Sequence, residues 1–425
     1  MRNESYWHAT APAFASGSEG PVTGHCDVAV IGAGFTGLGA ARALAMVGRT
    51  VAVLEAETVG FGASGRNGGH LNNGLSHSYL AARERFGAET ARRFYRAFDA
   101  GIETIERIIA EEGIDCAFRR SGKLKLASKP GHYDALARNF EALHREVDPD
   151  TELLSRADLA GEVVSDSFHG GLLQRKSAMM HTGRFVVGLA EAATRRGAVI
   201  HERAAVTGLS RAGRGWRLDT PRGTITADKV LLATGAYTTG AFPWFRRRIV
   251  PVGSFIIATR PLTAAEAAAT MPGNRTCVNT LNIGNYFRLS PDNRLIWGGR
   301  ARFSATSDQQ SDAKSGAILR AGLARIFPQL GDIAIDYCWG GLVDMTADRY
   351  PRAGEAGGLY FSMGYSGHGA QLATYMGEVM ADLMTGRIDR NPWADLPWHA
   401  VPLHGGKPWF LPLVGLYYQT LDRIK

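Results

Sequence analysis

Cysteine is scarce in this chain: Cys26, Cys116, Cys277 and Cys338 stand far apart in 425 residues. No Cys-x-x-Cys pair offers a metal knot or a redox dithiol, so reduced thiols and no metal are expected. Long apolar runs are missing as well. Each is cut by Arg, Gly or His well short of the roughly 18 residues a bilayer-spanning helix needs, and no membrane span is expected. The first 24 residues lack the basic head and apolar stretch of a secretory leader, which makes a cytoplasmic location the expectation. No repeat, low-complexity tract or block of like charge occurs. The formal charge of +8 is spread along the whole chain, so charge singles out no polyanionic partner and no nucleic acid is expected. What remains, at 45% hydrophobic and 21% charged residues, is the composition of an ordinary globular protein.

The organisation starts with a compact βαβ unit: an apolar strand from Asp27 to Ile31, a glycine turn, a helix from Phe35 to Val47, and a strand from Thr50 to Glu55. Helical periodicity follows over Ala81 to Glu112, with Phe94, Phe98, Ile102, Ile105 and Ile109 on one face. A helix over Thr182 to Arg196 comes next, and strands return after that long gap, between Ala198 and Thr234. Residues 250–330 alternate strands and helical patches and read as a separate mixed layer, including a hairpin of Asn285 to Ser290 with Arg294 to Gly299. Near the end, a strand over Gly358 to Met363 runs into a glycine turn and a helix from Gly367 to Met384.

The chemistry begins at Gly32-Ala33-Gly34-Phe35-Thr36-Gly37, set between a strand and a helix and followed by Glu55 at the end of the second strand. The first glycine permits the turn, the second admits a pyrophosphate, and the third lets helix and strand pack closely. The helix N-terminus faces the phosphates, and Glu55 accepts a ribose hydroxyl. This fits any dinucleotide. A second glycine-rich block at residues 60–70 supplies Ala63, Ser64, Arg66, Asn67, Gly68, Gly69, His70 and Leu71. Such a loop wraps a longer cofactor, FAD, with backbone amides for the phosphate and with Arg66 or Asn67 as side-chain donors. His70 is a candidate attachment point for a flavin, although non-covalent binding is the main expectation.

The glycine fingerprint, Ser64-Gly65-Arg66-Asn67-Gly68-Gly69, Ala233-Thr234-Gly235-Ala236-Tyr237, Gly364-Tyr365-Ser366-Gly367-His368-Gly369 and Tyr417-Tyr418 occur in one order. In this the chain resembles the D-amino-acid oxidase superfamily of FAD-dependent oxidoreductases, in particular its gamma-glutamylputrescine oxidase-like branch. The resemblance covers nearly the whole chain. It implies an α/β fold: a Rossmann-like FAD-binding domain (25–95, 150–245 and 336–395) with an interleaved α+β substrate domain carrying a mixed β-sheet (96–149 and 246–335). An extension (1–24) and a tail (396–425) flank them. It further implies that the Val206 backbone contacts the adenine, that Thr234 and Gly235 pass the cofactor, and that Gly364, Ser366, Gly367, His368 and Gly369 bring amides to the flavin's pyrimidine end. A helix starting there would stabilise negative charge on the reduced ring.

The implied reaction is hydride transfer from the carbon bearing a neutral amine to flavin N5, giving an imine that water hydrolyses, with oxygen or another acceptor taking the electrons. Substrate candidates are Tyr286 and Arg288 on one strand, Trp297 and Arg300 on its partner, and Tyr365 beside the glycine turn. No dedicated acid or base is legible, although His368 and Tyr365 sit where one could act. His368 could instead cap its helix. A gamma-glutamylated polyamine or related amine is the expected substrate. A D-amino acid, glycine or sarcosine is the nearest rival, and a flavin-dependent tRNA-modifying enzyme is the rival of another class. Two stretches, Asp344-Met345-Thr346-Ala347-Asp348-Arg349-Tyr350-Pro351 and residues 174–181, depart from the family pattern.

Overall fold

In the computed structural model the described residues are 1–302 and 313–424, with the side chains of 300–302 and 313 excepted. The N-terminal βαβ unit forms as read: strands His25–Ile31 and Val51–Leu54 lie parallel and flank the helix Phe35–Met46. Around them five parallel strands run in the order Leu359–Met363, Gly223–Leu232, His25–Ile31, Val51–Leu54 and Val199–His201. Both faces of this sheet are covered, which explains the apolar runs at 28–31 and 230–232 and in the strand Val51–Leu54. The helices Phe35–Met46, Ala88–Glu112, Thr182–Arg195 and Gly369–Thr385 bury one face. A hairpin, Gly208–Ala212 with Gly215–Thr220, covers the other.

Close helix contacts explain several glycines of the first helical layer. A Cβ at Gly39 would stand 2.6 Å from the Thr374 carbonyl oxygen, and one at Gly101 would strike that of Gln371. The helix Gly369–Thr385 therefore lies almost backbone to backbone on its two neighbours.

Among the described residues a second sheet has eight strands. Its order is Ile335–Met345, Val250–Pro261, Arg294–Arg302, Tyr286–Leu289, Thr276–Asn279, Lys123–Leu126, Gly171–Gln174 and Thr151–Leu154. It is mixed, because Thr276–Asn279 and Lys123–Leu126 run parallel while the other pairs are antiparallel. One face packs against the helix Ala313–Ile326 around Phe287, Trp297 and Phe327; the other, with Ile256, Ile296 and Trp339, meets Tyr6 and Trp7 of the N-terminal segment.

Three expectations need correction. Strands do not return only after residue 198: Lys123–Leu126, Thr151–Leu154 and Gly171–Gln174 lie in the supposed gap, each four residues long and too short to show a period. Of the residues expected in the nucleotide domain, 151–154, 171–174 and 336–345 belong to strands of the second sheet, whereas the helix Ala88–Glu112, expected to belong largely to the substrate domain, packs on the first. The continuous helix over 81–112 is broken at Gly87 (φ 82°), where Tyr79–Phe86 ends and Ala88–Glu112 begins.

The tail forms a helix, Leu411–Ile424, whose Tyr418 hydroxyl accepts a 2.8 Å hydrogen bond from Arg349. The N-terminal extension is a strap on the second glycine-rich block: Ser5 Oγ donates to the Gly65 carbonyl (2.8 Å) and Trp7 Nε1 to that of Asn67 (2.6 Å).

Candidate cofactor and substrate site

The two sheets face each other across a cavity of about 710 Å³, within the usual range of ligand sites. It runs along the C-terminal ends of the parallel strands, where an open α/β sheet places its ligands. At one end are Gly32, Gly34, Phe35, Thr36 and Glu55. Gly32 needs its positive φ of 106°, and a Cβ there would sit 3.0 Å from the Ala233 carbonyl oxygen. Gly34 occupies the N-cap of the Phe35–Met46 helix and brings no side chain of its own, while the Ser64 hydroxyl accepts from Phe35 N (2.9 Å) beside it, so a phosphate meets backbone and this hydroxyl. Gly37 does not line the cavity; it packs its helix onto the strand, the role its place in the motif predicts. The Glu55 carboxylate accepts hydrogen bonds from the N–H groups of Ala33 (2.7 Å) and Glu57 (2.9 Å), which orient it at the rim while burial raises its pKa.

The second glycine block forms the middle wall, through Ala63, Ser64, Arg66, Asn67, Gly68 and His70. Arg66 and Asn67, read as cofactor donors, also brace the loop itself. Arg66 donates to the carbonyls of Phe61 (2.7 Å) and Gly340 (3.2 Å); Asn67 Nδ2 donates to that of Ser64 (2.9 Å), and Asn67 Oδ1 accepts from Gly69 N (2.8 Å). Gly69 and Leu71 lie outside the lining. Leu71 is fully buried in the helical core, since it follows His70 along a strand and points to the opposite side. His70 has Nδ1 3.0 Å from the Gly68 oxygen and Nε2 3.3 Å from that of Phe287, and burial pushes its pKa down to about 3.

Val206, Thr234 and Gly235 line the cavity as expected, and so do Ser366, Gly367, His368 and Gly369 from the distant turn, with Gly364 just behind them. That turn is bent by positive φ at Gly364 (78°), Ser366 (52°) and Gly367 (87°). The helix Gly369–Thr385 follows. His368 is its N-cap residue but makes no side-chain cap, so the helix N-terminal dipole is presented to the cavity. Its Nδ1 lies 3.1 Å from Ser76 Oγ, and burial, aided by the charges of Lys123, Lys125 and Arg349, pushes its pKa down to about 4. Tyr365 is a fixed wall and not a lid, because its hydroxyl pairs with Thr36 Oγ1 (2.7 Å) and Ser362 Oγ (2.8 Å).

On the substrate side only part of the expected constellation assembles. Tyr286 lines the cavity, its ring edge-on to His70 at 5.4 Å. Arg288 shares that strand face but is 1% exposed and donates to the carbonyls of Gly69 (3.2 Å) and Met180 (2.9 Å); it holds the loop and does not reach into the cavity. Trp297 pairs with Phe287, one residue away from Tyr286, and the two stack at 5.0 Å on the far side of the sheet. Cross-strand partners share a face, so Trp297 and Tyr286 must lie on opposite faces. The Arg300 side chain lies outside the described residues.

Residues that sequence reasoning passed over include Ile256, Val278 and Val343, which wall the cavity from the second sheet. Asp344 is another. Its Oδ2 accepts from Gly364 N (2.6 Å) and so holds the turn, while burial pushes its carboxyl up to about 6 against the pull of these amides. The family departure at Asp344 was the one signal that pointed there.

The Asp344 shift sets a pH dependence. The native carboxyl keeps its proton to about pH 6, whereas an unfolded one releases it near 3.8, so this group's contribution to stability is lost as pH rises through that interval. In D344N the melting temperature relative to wild type should climb between pH 4 and 6.5. With solvent reaching the cavity, the change is on the order of 1–2 kcal/mol. A difference independent of pH would show that Asp344 does not titrate there.

The parallel sheet, the glycine turn at the helix N-terminus and the oriented acid together define a dinucleotide-binding fold. Residues 27–383 match the family model described as FAD dependent oxidoreductase, and the chain belongs to that family. It is 33% identical to the gamma-glutamylputrescine oxidoreductase of Escherichia coli (strain K12), an alignment that covers 99% of this chain and 98% of the relative. It is 35% identical to the probable oxidoreductase OrdL of Haemophilus influenzae, covering 86% and 84%. Among solved structures, glycine oxidase from Geobacillus kaustophilus superposes with a TM-score of 0.73 at 23% identity, covering 85% of this chain and 95% of that one, a likeness of fold. The family implies FAD, and the residues fit it: a helix N-terminus that opens on Gly34, with Ser64 and Glu55 beside it, at one end, and at the other a second helix N-terminus with no side-chain cap. Among the described residues no helix is long and apolar enough to cross a membrane.

Proposed function

We propose that the chain oxidises a C–N bond of a gamma-glutamylated polyamine or related amine, with FAD bound non-covalently. Bound FAD would supply the acceptor for the hydride leaving the amine-bearing carbon. The protein's own part is to hold that carbon against the wall of Tyr286, Ile256 and Val343, to exclude water there, and to direct the dipole of the Gly369–Thr385 helix at the ring.

The observation that carries this reading is the described lining from the second sheet, where Ile256, Val278, Tyr286 and Val343 form an apolar and phenolic wall and Asp344 is the charged member; the Arg300 side chain lies outside the described residues. Arg288 is committed to backbone carbonyls, and so is Arg66 on the facing loop. A D-amino acid, glycine or sarcosine presents its carboxylate beside the reacting carbon and calls for a guanidinium to meet it. The full-length similarity to a gamma-glutamylputrescine oxidoreductase supports the same choice. Non-covalent binding is supported by His70, whose two ring nitrogens both face carbonyl oxygens.

Anaerobic mixing of the yellow protein with single amines, followed by loss of flavin absorbance, tests the proposal. Gamma-glutamylputrescine should bleach it with a kcat/KM on the order of 100-fold above that of D-alanine, glycine or sarcosine. The reverse ranking would overturn it. Acid precipitation should release the flavin into the supernatant; a yellow pellet would argue for a covalent bond.

A further inference from the structure

The strand Lys123–Leu126 alternates Lys and Leu, and only the fold shows which set is inside. Leu124 and Leu126 enter the core behind the second sheet, so Lys123 and Lys125 point the other way, toward the cavity side. Both lysines are therefore inside the protein. Lys123 is settled: its Nζ donates to the Asn73 carbonyl at 2.6 Å, and the carboxylates of Asp99 and Asp148 lie within its field. Lys125 has no such support. Among the described residues no hydrogen bond or ion pair satisfies its ammonium, and no carboxylate offsets the burial that lowers its pKa. Its side chain is half-buried.

Its neighbours place it beside the cavity. In the parallel pairing Lys125 stands opposite Val278, and partners in register share a face; Val278 lines the cavity, and Lys125 stands next to it without being one of the lining residues. The charge of Lys125 is also felt at His368, another lining residue. An unpaired ammonium in the interior is costly unless something anionic meets it. Among the described residues none provides such a group there, whereas a substrate could.

We propose that Lys125 is a specificity determinant that binds a carboxylate carried by the substrate at the end remote from the amine being oxidised. This rests on the reading of the chain as an amine oxidoreductase and deepens it, because the gamma-glutamyl group bears its carboxylate at that remote end. A point charge on a flexible four-carbon stem suits an extended substrate whose far end need not be held as rigidly as its reacting carbon.

The test compares gamma-glutamylputrescine with N-acetylputrescine, which keeps the amide and the reacting amine but lacks the carboxylate. In wild type the glutamylated substrate should be favoured roughly 30-fold in kcat/KM, the usual value of a hydrogen bond to a charged group. K125M should bring the ratio to within about 3-fold of unity, mainly through KM, and K125R should restore most of it. FAD content and melting temperature report whether K125M folds. Equal losses on both substrates, or an unchanged ratio, would overturn the role of Lys125. If wild type is bleached by neither amine, the functional reading fails by itself, and Lys125 is then judged by titrating the FAD-loaded protein with glutarate and following the flavin spectrum. Binding to wild type that weakens at least about 10-fold in K125M supports the carboxylate site; equal binding, or none to wild type, rejects it.

Discussion

Replacing Gly37 by alanine should yield a protein that melts well below wild type and is purified without FAD. The added Cβ would land on the Gly32 carbonyl oxygen, far inside contact distance, and 3.1 Å from Val30 Cγ1. Neither neighbour can yield cheaply. One is backbone in the phosphate turn, and the other is a fully buried side chain of the central strand. The helix Phe35–Met46 would have to lift from the sheet, and its N-terminus, the anion site, would move with it. Overpacking of this kind against backbone costs about 3 kcal/mol or more. Gly34→Ala is the milder comparison, because its Cβ would meet only Ser64 Oγ, at 2.9 Å, whose rotation gives up the one hydrogen bond it accepts from Phe35 N, a cost of about 1 kcal/mol. That variant should melt close to wild type yet bind FAD more weakly, since the methyl group occupies the approach of a phosphate. Flavin absorbance per protein and a thermal melt separate the two. If G37A were as stable and as yellow as wild type, the close packing described here would be wrong.

The second large effect is expected at Arg42. Its guanidinium is 1% exposed and meets three carboxylates, Glu111 at 2.6 Å, Glu112 at 2.8 Å and Glu378 at 3.4 Å. These come from two other helices, Ala88–Glu112 and Gly369–Thr385, so one side chain ties together the layer that backs the cofactor cleft. R42M keeps the length and apolar stem but removes the charge, leaving Glu112, only 4% exposed, with the outer arginines Arg195 and Arg196 alone. Breaking a buried pair from one side costs several kcal/mol; with these outer arginines retained, about 3 kcal/mol is expected, read by denaturant titration. Most of that loss should be recovered in the double variant R42M/E112Q, because the uncompensated carboxylate is then gone. A loss of less than about 1 kcal/mol in R42M would mean that the cluster is held by its surface members.

How much was legible depended on whether a signal is contiguous. The strand, glycine turn and helix at residues 27–47 form one local unit, as does the turn at 364–369, and each formed within two or three residues of its expected bounds. Most residues of these two turns line the cavity, while Gly37 and Gly364 do not, and the turns are local because backbone conformation near glycine is a short-range property. The substrate wall is assembled from strands far apart in the chain, and there the sequence reading failed in part. Tyr286 is on the cavity, Arg288 is tied to Gly69 and Met180, and Trp297 stacks on Phe287 behind the sheet. Alternation along one strand states which residues share a side, but not what covers that side.

The glycine fingerprint, the acid at Glu55 and the order of the later glycine turns thus determined a dinucleotide fold from sequence alone, because each depends on backbone geometry within a few residues. The face on which Lys123 and Lys125 lie, the capture of Arg288 by loop carbonyls, and the gathering of Glu111, Glu112 and Glu378 around Arg42 were decided only by tertiary structure. The cause is common to all three. A charged side chain takes its role from the partners and the degree of desolvation it meets, and both are set by segments tens to hundreds of residues away.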